Sequence, residues 1–372
     1  MSYAVGIMSG TSLDGIDVAL VKITGETYEL VDFQSYSFEL GMKEKISRSL
    51  AKETSDVELI CSLNFELAYL FGDAVLKICE HNKMNSSDLE FVASHGQTVY
   101  HHPKNANGLV SSTLQIGESS IIAEMTKTTV VSDFRPRDMA VGGQGAPIVP
   151  FSEYVMYRSQ TSQRILQNIG GISNATIIPK NGALDKIVAF DCGPGNMIID
   201  ELCRYFYNEE YDRDGQYGTL GTVNEALLQD FMSHPFIAKP APKTTGREEF
   251  GKQYVEEMLA KYPDISANDF IKTATLFTAK AISSAVTPYL ELPTELIVGG
   301  GGSYNPVLIE LLKEELPEVK VMIQEDIGLS SDAKEAVAMV VLGHRTINKL
   351  PSNVPSATGA SRDVILGKVT YY

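Results

Sequence analysis

The sequence predicts an α/β protein built from two similar domains. Three observations lead there. Short apolar runs that read as buried strands alternate with longer stretches at helical spacing. A strand, a turn of small residues and a second strand occur twice, near Ser9 and near Gly171; this pattern points to a degenerate internal duplication. A length of 372 residues suits two domains, and 44% hydrophobic content suits substantial cores. The net charge of −16 argues against nucleic acid and anionic membrane surfaces as partners. It leaves room for small anionic ligands, which local basic groups and backbone amides can hold.

Tyr3 to Met8 reads as the first strand, Asp17 to Ile23 as the second and Tyr28 to Leu40 as the third. The first turn, Ser9-Gly10-Thr11-Ser12-Leu13-Asp14-Gly15, exposes hydroxyls and backbone N–H groups that suit phosphate oxygens. Asp14-Gly15 equally suits an ordinary hairpin. Lys43 to Lys52 and Asp56 to Asn82 have helical spacing. Phe91 to Thr98 is a buried strand running out into polar residues, with His95, His101 and His102 close together. No carboxylate or cysteine stands at matching spacing, so loop or substrate contact is favoured over metal ligation. Ser112 to Ile116 and Thr129 to Ser132 are further strands around a helix.

The segment Asp133-Phe134-Arg135-Pro136-Arg137-Asp138, followed by Gly142-Gly143-Gln144-Gly145-Ala146-Pro147, reads as a stiff, charged binding loop. Its arginines can fork onto a carboxylate or phosphate, or pair with their own aspartates in a solvated linker. A second meander begins at Arg164 to Ile169, turns at Gly170-Gly171, and reaches Val188-Ala189-Phe190-Asp191. There an apolar run stops at a carboxylate, before a Gly193-Pro194-Gly195 turn and a helix from Asn196 to Phe206. Asp191 thus falls at the carboxyl end of a strand facing a helix N-terminus, where open α/β sheets bind ligands. A turn or cap aspartate is the plainer alternative.

Helices follow at Val223 to Met232, Glu248 to Lys261 and Ala267 to Leu290, with a cationic loop at Pro240 to Arg247. Glu295 to Val298 is a strand ending in Gly299, Gly300, Gly301 and Gly302, where backbone can lie against a ligand. Asn305 and Pro306 then start a helix as N-cap and first residue. Val319 to Ile323 is a strand, Ala333 to Ile347 a helix, and Val364-Ile365-Leu366 a returning tail. The expected domains are 1–133, joined by the tail 354–372, and 134–353. The four cysteines, Cys61, Cys79, Cys192 and Cys203, form no CxxC pair and imply a reducing compartment. The N-terminus has no signal-like core and the longest apolar run, Ala336 to Leu342, is too short for a bilayer. The expectation is a soluble, cytoplasmic protein.

These pieces carry a resemblance. Two meanders with phosphate-type turns and a strand entering Gly299-Gly300 look like the actin, Hsp70 and sugar-kinase superfamily. More narrowly, the chain resembles the anhydro-N-acetylmuramic acid kinases. The matching blocks are Met8 to Gly15, Ser94 to Val99, Leu114 to Gly117, Gly142 to Pro147, Asn168 to Ile172, Phe190 to Asn196, Thr245 to Glu248 and Thr358 to Ser361. They span nearly the whole chain in order.

The resemblance implies two similar domains of the actin-like ATPase (ribonuclease H-like) type with an ATP cleft between them. It implies an ATP-dependent kinase that opens 1,6-anhydro-N-acetylmuramic acid with water and phosphorylates O6. Gly10, Thr11, Ser12, Leu13, Asp14, Gly15, Ile16 and Asp17 would hold ATP phosphates, with Gly170, Gly171, Gly299 and Gly300 also on the nucleotide side. Asp191 would be the general base. His95, Gln97, Arg135 and Arg137 would lie near the sugar and its lactyl carboxylate. Mg²⁺ would accompany ATP, but Met8 stands where the wider superfamily has an acidic metal-binding residue, so the metal ligands stay unassigned. Cys192 stands where the family is expected to have Thr, a change a small polarisable side chain tolerates. The partners implied are the sugar and ATP; a homodimer is one assembly this allows. An ordinary sugar or amino-sugar kinase of the same fold and a non-enzymatic ATPase switch are the alternative functions.

Overall fold

The computed structural model describes residues 1–10, 15–106, 108–241 and 243–372. Among them run twelve strands: β1 (Ser2–Ser9), β2 (Gly15–Thr24), β3 (Thr27–Ser37), β4 (Phe91–His102), β5 (Ser112–Ile116), β6 (Val130–Ser132), β7 (Gln163–Ile169), β8 (Ile172–Ile178), β9 (Val188–Pro194), β10 (Thr294–Gly299), β11 (Lys320–Ile323) and β12 (Lys368–Thr370). They form two sheets. One has the order β12-β6-β4-β1-β2-β3 with β5 paired to β4; the other has the order β11-β10-β7-β8-β9.

The duplication expected from the sequence is visible in the connections. In the first sheet β1, β2 and β3 form an antiparallel meander, and β4 and β6 add in parallel beside β1. In the second, β7, β8 and β9 form the meander, and β10 and β11 add in parallel beside β7. Each is the ribonuclease H-like arrangement.

The chain divides into two compact units, Met1–Met156 with Asp332–Tyr372, and Tyr157–Ser331. This corrects the expected boundaries after 133 and before 354: residues 134–156 and 332–353 belong to the first unit. The physical reason is the helix Lys334–Ile347, which buries Ala336 to Leu342. It packs so closely on the first sheet that a Cβ on Gly6 would sit 1.9 Å from the Ala336 carbonyl oxygen. The tail does return as expected, with β12 antiparallel to β6.

The first core lies between the sheet and the helix Val57–His81, where Val5, Ile7, Val18 and Leu20 meet Leu63, Leu67, Phe71 and Val75. By length and composition this helix is long and apolar enough to cross a membrane. Its buried stripe, Leu63, Leu67, Ala68, Phe71, Val75, Ile78 and Cys79, instead packs it into the core of its unit. In the second unit the helix Ala267–Val286 packs Ala279, Ile282 and Val286 beneath Ile165, Ile177, Leu296 and Val298.

Three local expectations are corrected. Phe134–Met139 is a short helix, not a loop, because Phe134 is buried and ties the segment to the core. The segment Glu248 to Lys261 is two helices, Arg247–Phe250 and Lys252–Lys261, broken at Gly251. The Asp191 strand does not stop at the carboxylate but continues to Pro194.

Candidate active site

Asp191 owes its setting to a bulge. Asn174 pairs with Asp191 and Ser173 with Gly193, so Cys192 is an extra residue in β9. Bulges bend a strand and re-aim its side chains. The Asp191 N–H donates to the Lys243 carbonyl at 3.0 Å, and its Oδ2 accepts from the Thr245 N–H at 2.9 Å. Burial holds its carboxyl above the usual carboxylate range; the Thr245 hydrogen bond and the Lys243 charge act in the opposite direction. Cys192 is buried, its thiol pushed up to about 12 by desolvation, so it stays neutral and adds no charge beside Asp191.

The Gly170-Gly171 turn faces the start of the helix Met197–Tyr207. The N–H groups of Gly195 and Met197 donate to the Gly171 carbonyl, and that of Asn196 to the Gly170 carbonyl. A Cβ at residue 195 would meet the Gly170 oxygen at 2.2 Å, so only glycine lets turn and helix touch there. The carboxyl end of β10 makes a second tight passage. Gly300 has φ of 80° and lies against Asn168 Oδ1 and the Ile169 carbonyl. Between these features opens a cavity of about 530 Å³, lined by Asn196, Ile199, Asp200, Tyr211, Arg213, Gly301 and Tyr304 among others. Asp200 at its wall is pushed up to about 7, first by burial and then by the neighbouring acids Glu201, Asp212 and Glu210. The helix beginning at Pro306 is capped by Asn305, whose Oδ1 accepts from Val307 and Leu308 N–H, as expected.

In the first unit, Thr11, Ser12, Leu13 and Asp14 lie outside the described residues, and the turn is seen from its two ends. Met8 pairs with Asp17 across β1 and β2; Ile16 is buried in the core. Ser9 Oγ donates to Gln97 Oε1 at 2.6 Å and to the Gly15 carbonyl at 3.4 Å, and Gln97 Nε2 donates to the Gly10 carbonyl at 3.4 Å. Gln97 is fully buried. The structure therefore places it as a brace for the first turn rather than on a ligand-facing surface.

His95 and Arg135 form a locked pair. Arg135 Nε and Nη2 lie 3.1 and 2.9 Å from His95 Nε2, and Arg135 Nη1 donates to the Gly145 carbonyl at 2.8 Å. His95 Nε2 must then accept, so its Nδ1–H donates to the Gly96 carbonyl at 2.8 Å. This neutral tautomer leaves the guanidinium cationic and fixed in direction. Arg137, on the same short helix, is exposed and is not part of this network. His95 borders a cavity of about 370 Å³ whose wall also includes Ser94, Gln115 and Pro136.

Burial and the Arg135 charge lower the His95 pKa from 6.5 to about 4. Because the unfolded chain takes up this proton first, the contribution is present above pH 6.5 and is lost as pH falls toward 4. The loss amounts to roughly 3 kcal/mol. Thermal melts of wild type and His95→Gln between those limits should converge as pH falls; parallel curves would exclude His95 as the responsible group.

The sequence reading missed three things here. Asp138 is fully buried and holds the glycine loop: it accepts from Gly145 N–H at 2.9 Å, Asn353 Nδ2 at 3.0 Å and Thr358 Oγ1 at 2.8 Å. Glu335 bears electrostatically on Arg135 and Asp17, and nothing local in its sequence signals that. Lys243, expected only as part of a cationic loop, is buried. Among the described residues no three His, Cys, Asp or Glu side chains group as a metal site.

The comparisons with known proteins agree over the full length. The family model for anhydro-N-acetylmuramic acid kinase matches residues 2–372. A Bacillus cereus (strain Q1) protein named anhydro-N-acetylmuramic acid kinase is 48% identical over 379 residues, covering 99% of each chain. A Clostridioides difficile (strain 630) protein of the same name is 48% identical over 376 residues, covering 99% of this chain and 98% of that one. A solved structure, the activator of the 2-hydroxyisocaproyl-CoA dehydratase from Clostridium difficile with bound ADPNP, aligns with a TM-score of 0.44 at 10% identity, over 91% of this chain and 93% of that one. On its full-length match to the family model and to relatives at this identity, the chain belongs to the anhydro-N-acetylmuramic acid kinase family.

Proposed function

We propose that this chain uses ATP and water to convert 1,6-anhydro-N-acetylmuramic acid into N-acetylmuramic acid 6-phosphate and ADP, a step in recycling cell-wall sugars. The observation that carries the reading is the family match across residues 2–372. Asp191 is the general base. Its Oδ2 is held by the Thr245 N–H, which leaves Oδ1 to take a proton from the water attacking C1. A carboxyl raised by burial is a better base than an ordinary one once ionised. As the C1–O bond forms, C1–O6 breaks, and the electron pair left on O6 attacks the γ-phosphorus. ADP departs with the electrons of the bond to the γ-phosphoryl group. Positioning and charge neutralisation carry such a transfer.

Arg135, held in one direction by His95 and Gly145, suits the lactyl carboxylate of the sugar. His95 fixes that direction, Arg137 adds an exposed cation, and Gln97 acts through the first turn. The segment Gly10 to Asp17 binds the phosphates. The cavity at Asn196, Tyr211 and Tyr304 takes the nucleoside, with Gly170, Gly171, Gly299 and Gly300 on the nucleotide side. Mg²⁺ bound with ATP would need only one or two protein carboxylates; Asp17, beside Met8 in register, would be a donor of the right type, and the ion would neutralise charge on the phosphates. A cytoplasmic setting and a homodimer complete the reading.

The test is ADP release by purified protein with 1,6-anhydro-N-acetylmuramic acid and with N-acetylmuramic acid, run in ¹⁸O-labelled water. Release should depend on the anhydro sugar, with label at C1 and none in the 6-phosphate. Equal release with the open sugar, or label in the phosphate, would turn the reading toward an ordinary sugar kinase or an ATPase.

A further inference from the structure

The segment around Lys243 is built as a strap across Asp191. Lys243 is 8% exposed. Its ammonium donates to the carbonyls of Phe236 and Ile237, both at 3.2 Å, and lies 4.5 Å from the centre of the Phe236 ring. Burying an ammonium is costly, and burial pulls Lys243 below the ordinary lysine range. A loop lysine wanted only for solubility would point outward. Here the stem crosses inward, and the same three residues grip Asp191 twice, through the Lys243 carbonyl and the Thr245 N–H.

We propose that Lys243 is a positioning residue for Asp191: its buried ammonium pins residues 243–245 to the Phe236–Ile237 turn, and its charge holds the Asp191 carboxylate ionised for proton abstraction. This rests on the reading of Asp191 as the general base. The pinning fixes the carboxylate plane, because the N–H that holds Oδ2 belongs to the pinned segment. The charge acts on the proton equilibrium. Of the groups around it, Cys192 is a neutral thiol. Asn174, opposite in β8, is uncharged. Lys239 lies 3.5 Å from Glu249 Oε1 and so has a carboxylate of its own. Among the described residues, Lys243 is thus the cation that, after the Thr245 hydrogen bond, offsets the desolvation of Asp191.

The charge and the pinning separate by substitution. Lys243→Met keeps the apolar stem and removes both; Lys243→Gln keeps a donor toward the carbonyls and removes the charge; Lys243→Arg keeps charge and donors. Without the cation the acid limb of the kcat/KM–pH profile should move up by about one pH unit, a roughly tenfold lower kcat/KM below the limb. Lys243→Arg should keep the wild-type limb. Should Lys243→Met fail to fold, Lys243→Gln carries the same expectation. An independent readout is the ¹³C carboxyl titration of Asp-labelled protein, with the Asp191 signal assigned by its loss in Asp191→Asn. The Asp191 midpoint should rise in both neutral variants. Unmoved limb and midpoint would overturn the proposal and leave Lys243 a structural staple. If wild type released no ADP with the anhydro sugar, the functional reading would fail, while the carboxyl titration would still decide the role of Lys243.

Discussion

Replacing Asp191 with Asn should lower turnover by about 10²- to 10⁴-fold, the usual cost of removing a general base, while leaving the fold intact. The amide has the size of the carboxylate, and its oxygen can still accept the Thr245 N–H that Oδ2 accepts now. What it lacks is a basic oxygen for the attacking water. Substrate affinities should change little, because the base acts in the transition state. The pH dependence should change as well. Since burial raises the Asp191 carboxyl, wild-type kcat/KM should fall with decreasing pH from above the ordinary carboxylate range, and that acid limb should vanish in the variant. Steady-state ADP release and a thermal melt on the same sample make the check. Near-wild-type turnover would move the base elsewhere.

Asp138→Ala should cost the first unit about 4 kcal/mol or more. Hydrogen bonds to a charged group are each worth about 1.5–3 kcal/mol, and three end on this buried carboxylate. Its removal leaves the Gly145 N–H, Asn353 Nδ2 and Thr358 Oγ1 without that acceptor. With the carboxylate in place the loop needs glycine at 143, since a Cβ there would lie 2.1 Å from Asp138 Oδ2. Asp138→Asn should lose less, because one oxygen still faces Asn353 and Thr358 while the new N–H₂ meets the Gly145 N–H. The effect should reach Arg135, whose Nη1 donates to the Gly145 carbonyl; a loosened glycine loop lets the guanidinium turn away from its set direction. The chain has no tryptophan, so urea unfolding is best followed by circular dichroism. A wild-type midpoint in Asp138→Ala would show that the loop is held by other contacts.

Much of the molecule was legible in the sequence because the signals are local. Apolar periodicity marked the two meanders and the strands beside them. Asn305-Pro306 marked a helix start that the structure shows capped as expected. Asp191 was singled out from a short apolar run and three small residues. The blocks from Met8 to Ser361 carried the resemblance to the family that the full-length match shows. Tertiary structure alone decided the rest, and for a common reason. The grip on Asp138 comes from Asn353 and Thr358, 215 and 220 positions away. Those bonds join residues 134–156 to 353 and 358, while the packing of helix Lys334–Ile347 on the first sheet sets the unit boundaries apart from the expected ones. The bulge at Cys192 depends on how β9 pairs with β8, so the strand runs past Asp191 where its composition predicted a stop. Lys243 reads as part of a cationic loop with Arg247; its packing against Phe236 is a tertiary contact. Periodicity reports which face of an element is apolar, whereas burial of a charge depends on partners brought from distant parts of the chain.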